Sequence, residues 1–433
     1  MNQQYNLKVE KTLYLQGVVK APASKSYTIR ALLCAGSNGR LRIHNPLYSD
    51  DTLAAIHCLK QLGAVIKKQG DGLFVNGFKG KPFVKGGKIN VGESGTLLRL
   101  ILPFIALGKR RCVVEGRGTL LNRANKPIAE ALSSLGINIQ GKDKEFHLPI
   151  QIEGKGGLRG GKVMVSAQSS SQVISSLLQV APFAKRGLTI AVKGKAVSKP
   201  YIDITLDVLE QAGIKVTRKG HRSFFIKAGQ HFRFKDDFVV GGDYSSAAFL
   251  MVAGCLVASD IVIGGMRKDK QGDRKIIELL NSMGAKISHI RDEVRIKGPF
   301  ELKGRDIDCS DTPDLVPILT VAACFAKGKT RILNIGHLAH KESNRILSPA
   351  NELKKLGARI KAGRDSLTIR ESVLHPAVVS SCNDHRIAMS LAVIGLRIGG
   401  LTIKNAEAIS KSYPDFILDM KSLGAKLLRE KRA

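Results

Sequence analysis

Leu353-Lys354-Lys355-Leu356-Gly357-Ala358-Arg359-Ile360-Lys361-Ala362 holds a helix end, a turn and a strand in one short stretch. Leu353 and Leu356 have the apolar spacing of a helix, while Ala358, Ile360 and Ala362 alternate with Arg359 and Lys361 as in a half-buried strand. Gly357 falls just past the helix end, where a left-handed turn suits a residue without a Cβ. The same junction recurs as Gln61-Leu62-Gly63-Ala64, Ser134-Leu135-Gly136-Ile137, Gln211-Ala212-Gly213-Ile214, Ser282-Met283-Gly284-Ala285 and Ser422-Leu423-Gly424-Ala425. The six glycines are 73, 77, 71, 73 and 67 residues apart. A near-constant period along a whole chain means one structural unit copied six times.

A second helix type keeps the same period. Its starts are read at Ser26, Ser94, Ser170, Ser245, Pro313 and Asn383, and apolar runs follow, such as Leu97 to Leu107, Ala247 to Val257 and Ile387 to Leu396. These runs are apolar nearly all round, so they belong inside, and they are too short to span a membrane. Strands follow them, as in Leu188-Thr189-Ile190-Ala191-Val192 and Leu401-Thr402-Ile403. The expected fold class is α/β (α+β): a two-domain inside-out α/β barrel, each domain three copies of a β-α-β-α-β-β unit, with apolar helices inside a shell of sheet. One long doubly wound sheet is the competing architecture, and it would not show this period.

The chain has 433 residues, of which 43% are hydrophobic; length alone suggests about three domains, and the repeat reduces that to two. Met1 to Leu15 has no apolar targeting core, so a cytoplasmic protein is expected. Seven cysteines are scattered without a Cys-x-x-Cys pair, and Cys34, Cys255 and Cys324 read as buried free thiols. His337 and His385 have no ligand-spaced partners, so no metal site is expected. The net charge of +33 fits a nucleic-acid partner, a polyanionic substrate or a general surface bias. With no Trp and only 5% aromatics, stacking platforms for single strands are scarce, which disfavours nucleic acid. A basic cleft for a small polyanion accounts for a handful of the cations, and solvated surface for the rest.

Helix starts attract anions, because their N–H groups are unpaired and their dipole end is positive. Here the inner helix starts are decorated. Ser24-Lys25-Ser26 has Arg30 one turn on, and Ser94-Gly95-Thr96 has Arg99. Ser169-Ser170-Ser171-Gln172 offers hydroxyls and an amide. Asp243-Tyr244-Ser245-Ser246, Asp311-Thr312-Pro313-Asp314 and Asn383-Asp384-His385-Arg386 bring carboxylates, the last with a guanidinium. Each alone is an ordinary N-cap; six in register with strong cations beside them indicate convergence on an anionic ligand. The connectors Val197-Ser198-Lys199-Pro200-Tyr201, His340-Lys341-Glu342-Ser343-Asn344-Arg345 and Ser410-Lys411-Ser412-Tyr413-Pro414-Asp415 add more polar groups at matching places.

Taken in order, these motifs resemble the 3-phosphoshikimate 1-carboxyvinyltransferase (EPSP synthase) family over essentially the whole chain. The resemblance implies one domain of residues 21–240 and another of residues 1–20 plus 241–433, with an active site in the cleft between them. It implies transfer of the enolpyruvyl group of phosphoenolpyruvate to the 5-hydroxyl of shikimate 3-phosphate with release of phosphate, no metal or organic cofactor, no nucleic-acid or membrane partner, and a monomer. It assigns phosphoenolpyruvate to Lys25, Gly95, Lys126, Gln172, Arg345, Arg386 and Lys411. Shikimate 3-phosphate falls to Lys25, Ser26, Arg30, Ser170, Ser171, Gln172, Ser198, Tyr201, Asp314, His337 and Lys341. Lys25, Asp314 and Glu342 are the implied catalytic groups, with Asp314 as base toward the hydroxyl and Glu342 and Lys25 serving the protonation and elimination steps.

Several positions depart from the family pattern. Glu93 replaces an asparagine and would repel an anion unless Arg99 or another cation neutralises it. Lys126-Pro127 replaces Arg-Pro, with Arg123 nearby as a substitute fork. His337 stands where asparagine is common, Ser343-Asn344 where Thr-Asp is, and Leu100 where proline is frequent. Gly95 leaves room for glyphosate, so the resemblance implies inhibition competitive with phosphoenolpyruvate. The sister transferase acting on UDP-N-acetylglucosamine carries Lys-Asn where this chain has Lys25-Ser26, and a loop cysteine where it has Arg123-Ala124-Asn125. Cys112 lies upstream in an expected strand. A basic RNA-binding or RNA-end-processing protein is supported by the charge alone.

Overall fold

A computed structural model describes residues 4–168 and 170–431. Ser169, one of the hydroxyls read at the third inner helix, lies outside the described residues. The chain divides into two compact units, one of Ala23–Val240 and one formed by the residues up to Pro22 together with those from Gly241 onward. The first is therefore an insertion within the second, which is split in sequence.

Twelve α-helices alternate along the described residues. They are α1 (Lys25–Asn38), α2 (Asp50–Gln61), α3 (Gly95–Ile105), α4 (Lys126–Ser134), α5 (Gln172–Val180), α6 (Pro200–Gln211), α7 (Tyr244–Leu256), α8 (Lys275–Ser282), α9 (Val316–Cys324), α10 (Leu347–Lys355), α11 (His385–Ile398) and α12 (Phe416–Ser422). The odd-numbered helices are the apolar runs. Every residue of α7 is buried, and so is α11 from His385 to Leu396. The even-numbered helices bury one face only, as in α10, where Pro349, Ala350, Glu352 and Leu353 face inward. Each even-numbered helix ends at its repeat glycine, and these six take φ between 76° and 110°. An L side chain there would be strained, so the recurring glycine is a geometric requirement of the turn into the next strand.

Each unit holds three four-stranded sheets among the described residues, and all six share one plan. Gly161–Ser166 and Leu188–Lys193 pair in parallel across α5, and Ser223–Ile226 and Val216–Lys219 continue antiparallel. Strand residues alternate, as Val163, Val165, Leu188 and Ile190 point into the core while Lys162 and Met164 face water. The inner faces and the odd-numbered helices form one apolar core per unit. That is the inside-out barrel: helix in the middle, sheet outside.

The repeats are not contiguous, as simple copying would make them. Tyr14–Lys20 precedes α1 in sequence but pairs in parallel with Ala258–Gly264, giving the fourth repeat its first strand. Phe238–Val239 precedes α7 but pairs with Arg40–His44 of the first repeat. Tyr5–Val9 inserts between Leu401–Lys404 and Leu427–Lys431, antiparallel to both. These exchanges give strand partners to backbone groups that an open sheet position would leave bare. No helix among the described residues is long and apolar enough to cross a membrane. The thiols of Cys34, Cys255 and Cys324 are free and buried, and burial pushes each up to about 12, far from thiolate chemistry.

Candidate active site

In the Ala23–Val240 unit the polar groups gather at the starts of α1, α3, α5 and α6. Lys25, the first residue of α1, donates from Nζ to Asp51 Oδ2 at 2.9 Å. Arg30, one turn on, is 1% exposed. Its Nε donates to Thr205 Oγ1 (2.7 Å), its Nη1 to the Ser26 carbonyl (3.1 Å), and its Nη2 to the Tyr201 carbonyl (3.3 Å) and Ser175 Oγ (3.4 Å). All four acceptors are neutral, and Arg30 makes no ion pair among the described residues. Burial pulls its pKa down to about 10, against small opposing contributions from Tyr201 and Tyr27. A buried guanidinium without a counterion is costly unless a ligand supplies the negative charge.

Gln172 links two helix starts, accepting from Arg99 Nη1 (2.8 Å) and donating to Thr96 Oγ1 (3.1 Å). Ser170 Oγ accepts from the Gln172 N–H at 3.2 Å, and Ser171 is buried at the N-cap of α5. Ser198 is buried with φ 54°, a left-handed conformation rare for serine, just ahead of α6 and Tyr201. Glu93 is satisfied locally, since its Oε1 accepts from the N–H (2.8 Å) and hydroxyl (2.6 Å) of Thr119. Arg99 meanwhile reaches Gln172 and the Ala124 carbonyl (3.2 Å). Lys126 opens α4 with its side chain 44% exposed, 3.6 Å from Glu145. Arg123 is buried and lies across Gly95, where an added Cβ would run into its guanidinium. The missing side chain at position 95 makes the room in which this guanidinium sits.

In the split unit the centre is Arg345, 1% exposed. Its Nε and Nη2 grip Asp384 (2.8 and 3.1 Å) and its Nη1 grips Asp314 (2.7 Å). Glu342 Oε2 lies 2.9 Å from Nη2. Arg386 Nη2 donates to the other oxygen of Asp314 at 2.8 Å. Asp384 also caps α11, accepting from the Arg386 N–H at 3.0 Å, and two left-handed residues, Cys382 and Asn383, aim it there. Burial raises the Asp314 carboxyl, but Arg386, Arg345 and Lys341 outweigh it and hold the group well below the usual carboxylate range. Arg345 is stabilised as a cation despite burial, chiefly by Asp384 and then Glu342. Lys411 is buried at the end of the 3-10 turn Ala406–Lys411. His337 lies on the turn Gly336–His340; burial and Lys341 lower it to about 4, so it is neutral at pH 7.

Two carboxylates at the starts of even-numbered helices lie outside the sequence reading: Asp51 at α2 and Asp273 just before α8. A sequence signal was present, because the decorated connectors at 197–201, 340–345 and 410–415 are themselves even-numbered helix starts. The same register points to 49–51 and 271–273. Asp273 is 2% exposed; its Oδ2 contacts the Ser245 hydroxyl and its Oδ1 has no partner among the described residues. Burial, then Asp314, raise it to about 7. A carboxyl raised above its unfolded value of 3.8 holds its proton in the folded state, so folding loses stability as pH climbs from about 4 to 7. Asp273→Asn is therefore expected to be more stable than the parent at pH 8, by a few kcal/mol at most, and nearly equal at pH 4. Urea midpoints at the two pH values test this, and a gain that is the same at both refutes it.

Comparison with known proteins follows the same lines. The EPSP synthase (3-phosphoshikimate 1-carboxyvinyltransferase) family model matches residues 9–420. A 3-phosphoshikimate 1-carboxyvinyltransferase of Methanocaldococcus jannaschii is 40% identical over 435 residues, covering 98% of this chain and 99% of that protein. Its namesake from Methanosarcina acetivorans is 39% identical over 417 residues, covering 95% and 96%. Among solved structures, EPSP synthase from Acinetobacter baumannii superposes with a TM-score of 0.83 at 24% identity over 98% of this chain and all of the other. The enolpyruvyl transferase NikO from Streptomyces tendae gives 0.79 at 16%, covering both chains fully. The fold is thus shared well beyond recognisable sequence, and the chain belongs to the EPSP synthase family.

Proposed function

We propose that this chain joins phosphoenolpyruvate to the 5-hydroxyl of shikimate 3-phosphate by addition and elimination, yielding the enolpyruvyl ether and phosphate, in the synthesis of chorismate and the aromatic amino acids. The observation that supports it most directly is Arg30, a buried cation whose hydrogen bonds all go to neutral groups, on a chain of this family. Such a residue suits an anionic substrate. Ser26, Ser170, Ser171, Gln172, Ser198, Tyr201, His337 and Lys341 are the groups we assign with it to shikimate 3-phosphate. Arg345, Arg386, Lys411, Lys25 and the backbone at Gly95 are assigned to phosphoenolpyruvate. Its cationic fork is Arg123, which is buried against Gly95, in preference to Lys126, which faces solvent near Glu145.

In the addition, the hydroxyl oxygen bonds to the central carbon of phosphoenolpyruvate and loses its proton, while the methylene carbon gains one. In the elimination, the methyl carbon gives up a proton as the carbon–oxygen bond to phosphate breaks. Asp314 takes the hydroxyl proton in our reading. Held between two arginines it is a weak base. An anionic substrate that draws Arg345 and Arg386 away from it makes it a stronger one, so the base is armed when substrates arrive. Glu342 and Lys25 serve the carbon proton and the leaving phosphate. Buried, prearranged cations also stabilise charge that develops in the tetrahedral intermediate. We place the enzyme in the cytoplasm as a monomer that needs neither metal nor nucleic acid.

The deciding assay is phosphate release from phosphoenolpyruvate, with shikimate 3-phosphate compared against UDP-N-acetylglucosamine. Release with the first alone is expected; release with the second, or tight salt-sensitive RNA binding without turnover, overturns the reading. A finer test is the fork. Arg123→Ala is expected to raise the KM for phosphoenolpyruvate roughly 10- to 100-fold, the loss of charged hydrogen bonds. Lys126→Ala is expected to change it less than about threefold, as for an exposed ion pair. The opposite ranking in steady-state kinetics refutes the assignment of Arg123.

A further inference from the structure

A buried carboxylate bonded to Lys25 comes from a helix that the proposed function leaves unused. Asp51 lies in the first turn of α2, 5% exposed, with Oδ2 2.9 Å from Lys25 Nζ, itself 13% exposed. The helix start that bears it is bolted in place. Ser49 and Thr52 form a reciprocal capping box, and Thr52 Oγ1 also donates to the Leu47 carbonyl at 2.7 Å. The Leu47 N–H donates to Thr28 Oγ1 at 3.1 Å, and Thr28 Oγ1 in turn donates to the Ser24 carbonyl at 2.8 Å. This chain of bonds runs from the residue before Lys25 to the residue after Asp51, so both ends of the ion pair share one frame. The N-terminal dipole of α2 further favours a carboxylate at this place.

A lysine stem has four rotatable bonds and a compact, strongly hydrated head. Left alone, it would spend part of its time away from any one productive position. A buried carboxylate on a rigid frame removes that freedom before substrate arrives. We infer that Asp51 is the positioning residue for Lys25: it holds the ammonium in place at the start of α1, so that turnover depends on Asp51 without Asp51 touching either substrate. This rests on the assignment of Lys25 to the reaction made above. Asp51 differs from the decorated inner-helix starts in acting through a neighbour, which is why the carboxylate belongs at the start of an outer helix.

The test pairs Asp51→Asn and Lys25→Ala with the double variant. The asparagine can still accept a hydrogen bond, so it removes charge while keeping shape. The expected result for Asp51→Asn is a kcat lowered about 10- to 100-fold, the usual cost of loosening a reacting group by an ångström or less, with the KM for shikimate 3-phosphate within about twofold of the parent. Asp51→Glu, which keeps the charge on a longer arm, recovers part of the loss. The double variant is no slower than Lys25→Ala alone, because the two residues act as one device. Multiplying defects, a KM effect in place of a kcat effect, or near-parent turnover in Asp51→Asn overturns the inference. A third measurement separates it from the assignment it rests on: amine-reagent labelling of Lys25, read by peptide mass spectrometry, is expected to be faster in Asp51→Asn. Normal turnover in Lys25→Ala with faster labelling in Asp51→Asn means that the pair is real, but Lys25 has no part in the reaction and the positioning role falls with it. A dead Lys25→Ala beside an active Asp51→Asn sinks the positioning role alone.

Discussion

Arg345→Gln is expected to lower the unfolding free energy by about 3–5 kcal/mol at pH 7, the cost of breaking a buried ion pair from one side. The physical cause is what remains. Asp384 has no side-chain exposure, and Asp314 and Glu342 are mostly buried, so removing the guanidinium leaves three carboxylates with less positive charge among them. Arg386 still holds one oxygen of Asp314, which limits the loss. The effect has a pH signature. Asp314 is depressed in the folded parent, so the stability it contributes is present above its unfolded value of 3.8 and is lost as pH falls below that. The gap between parent and variant should therefore be widest near neutrality and shrink in acid, where protonated carboxyls need no cation. Urea titrations at pH 7 and pH 3.5 decide it. A gap of equal size at both, or one under about 1 kcal/mol at pH 7, means that Arg345 is not the electrostatic centre described here.

Lys25→Ala is expected to cut kcat by about two to four orders of magnitude, the usual worth of a positioned acid–base or charge-stabilising group. The fold should survive. Asp51 loses its cation but stays at the positive end of α2, which offsets part of the roughly 3–5 kcal/mol that breaking a buried pair from one side costs. Phosphate-release kinetics together with a melting curve separate the two effects. Turnover within tenfold of the parent removes Lys25 from the mechanism, whereas slow turnover with a collapsed melting curve shows only that the variant is damaged.

Most of the secondary structure was legible because local rules and the tertiary arrangement agree. The start expected at Ser26 differs from the observed α1 by one residue, and the start expected at Ser245 differs from α7 by one. The glycines at the repeat junctions all take the left-handed turn that their position demanded. Strand exchange was not legible. Tyr14–Lys20 and Phe238–Val239 each precede an inner helix in sequence, and nothing in their side chains says which sheet takes them. Pairing is a long-range choice made by whole edges and connections, so a short strand's own sequence does not encode it.

The candidate site divides the same way. Residue type and position within the repeat sufficed to single out Lys25, Arg30, Gln172, Asp314, Arg345 and Arg386, because helix starts attract anions by geometry alone. Their couplings needed the folded chain. Glu93 reads as a repulsive charge unless Arg99 or another cation neutralises it, and it is the fold that brings Thr119, 26 residues on, to donate two hydrogen bonds to its carboxylate. Lys126 occupied the family's fork position, yet burial and contact with Gly95 belong to Arg123. The period of the chain by itself determined six repeats, inner and outer helices and the decorated helix starts, since these follow from apolar spacing and backbone sterics within a few residues. Only the tertiary structure decided which carboxylate meets which cation, because a Coulomb energy depends on distance and burial, and both are set by residues far apart in sequence.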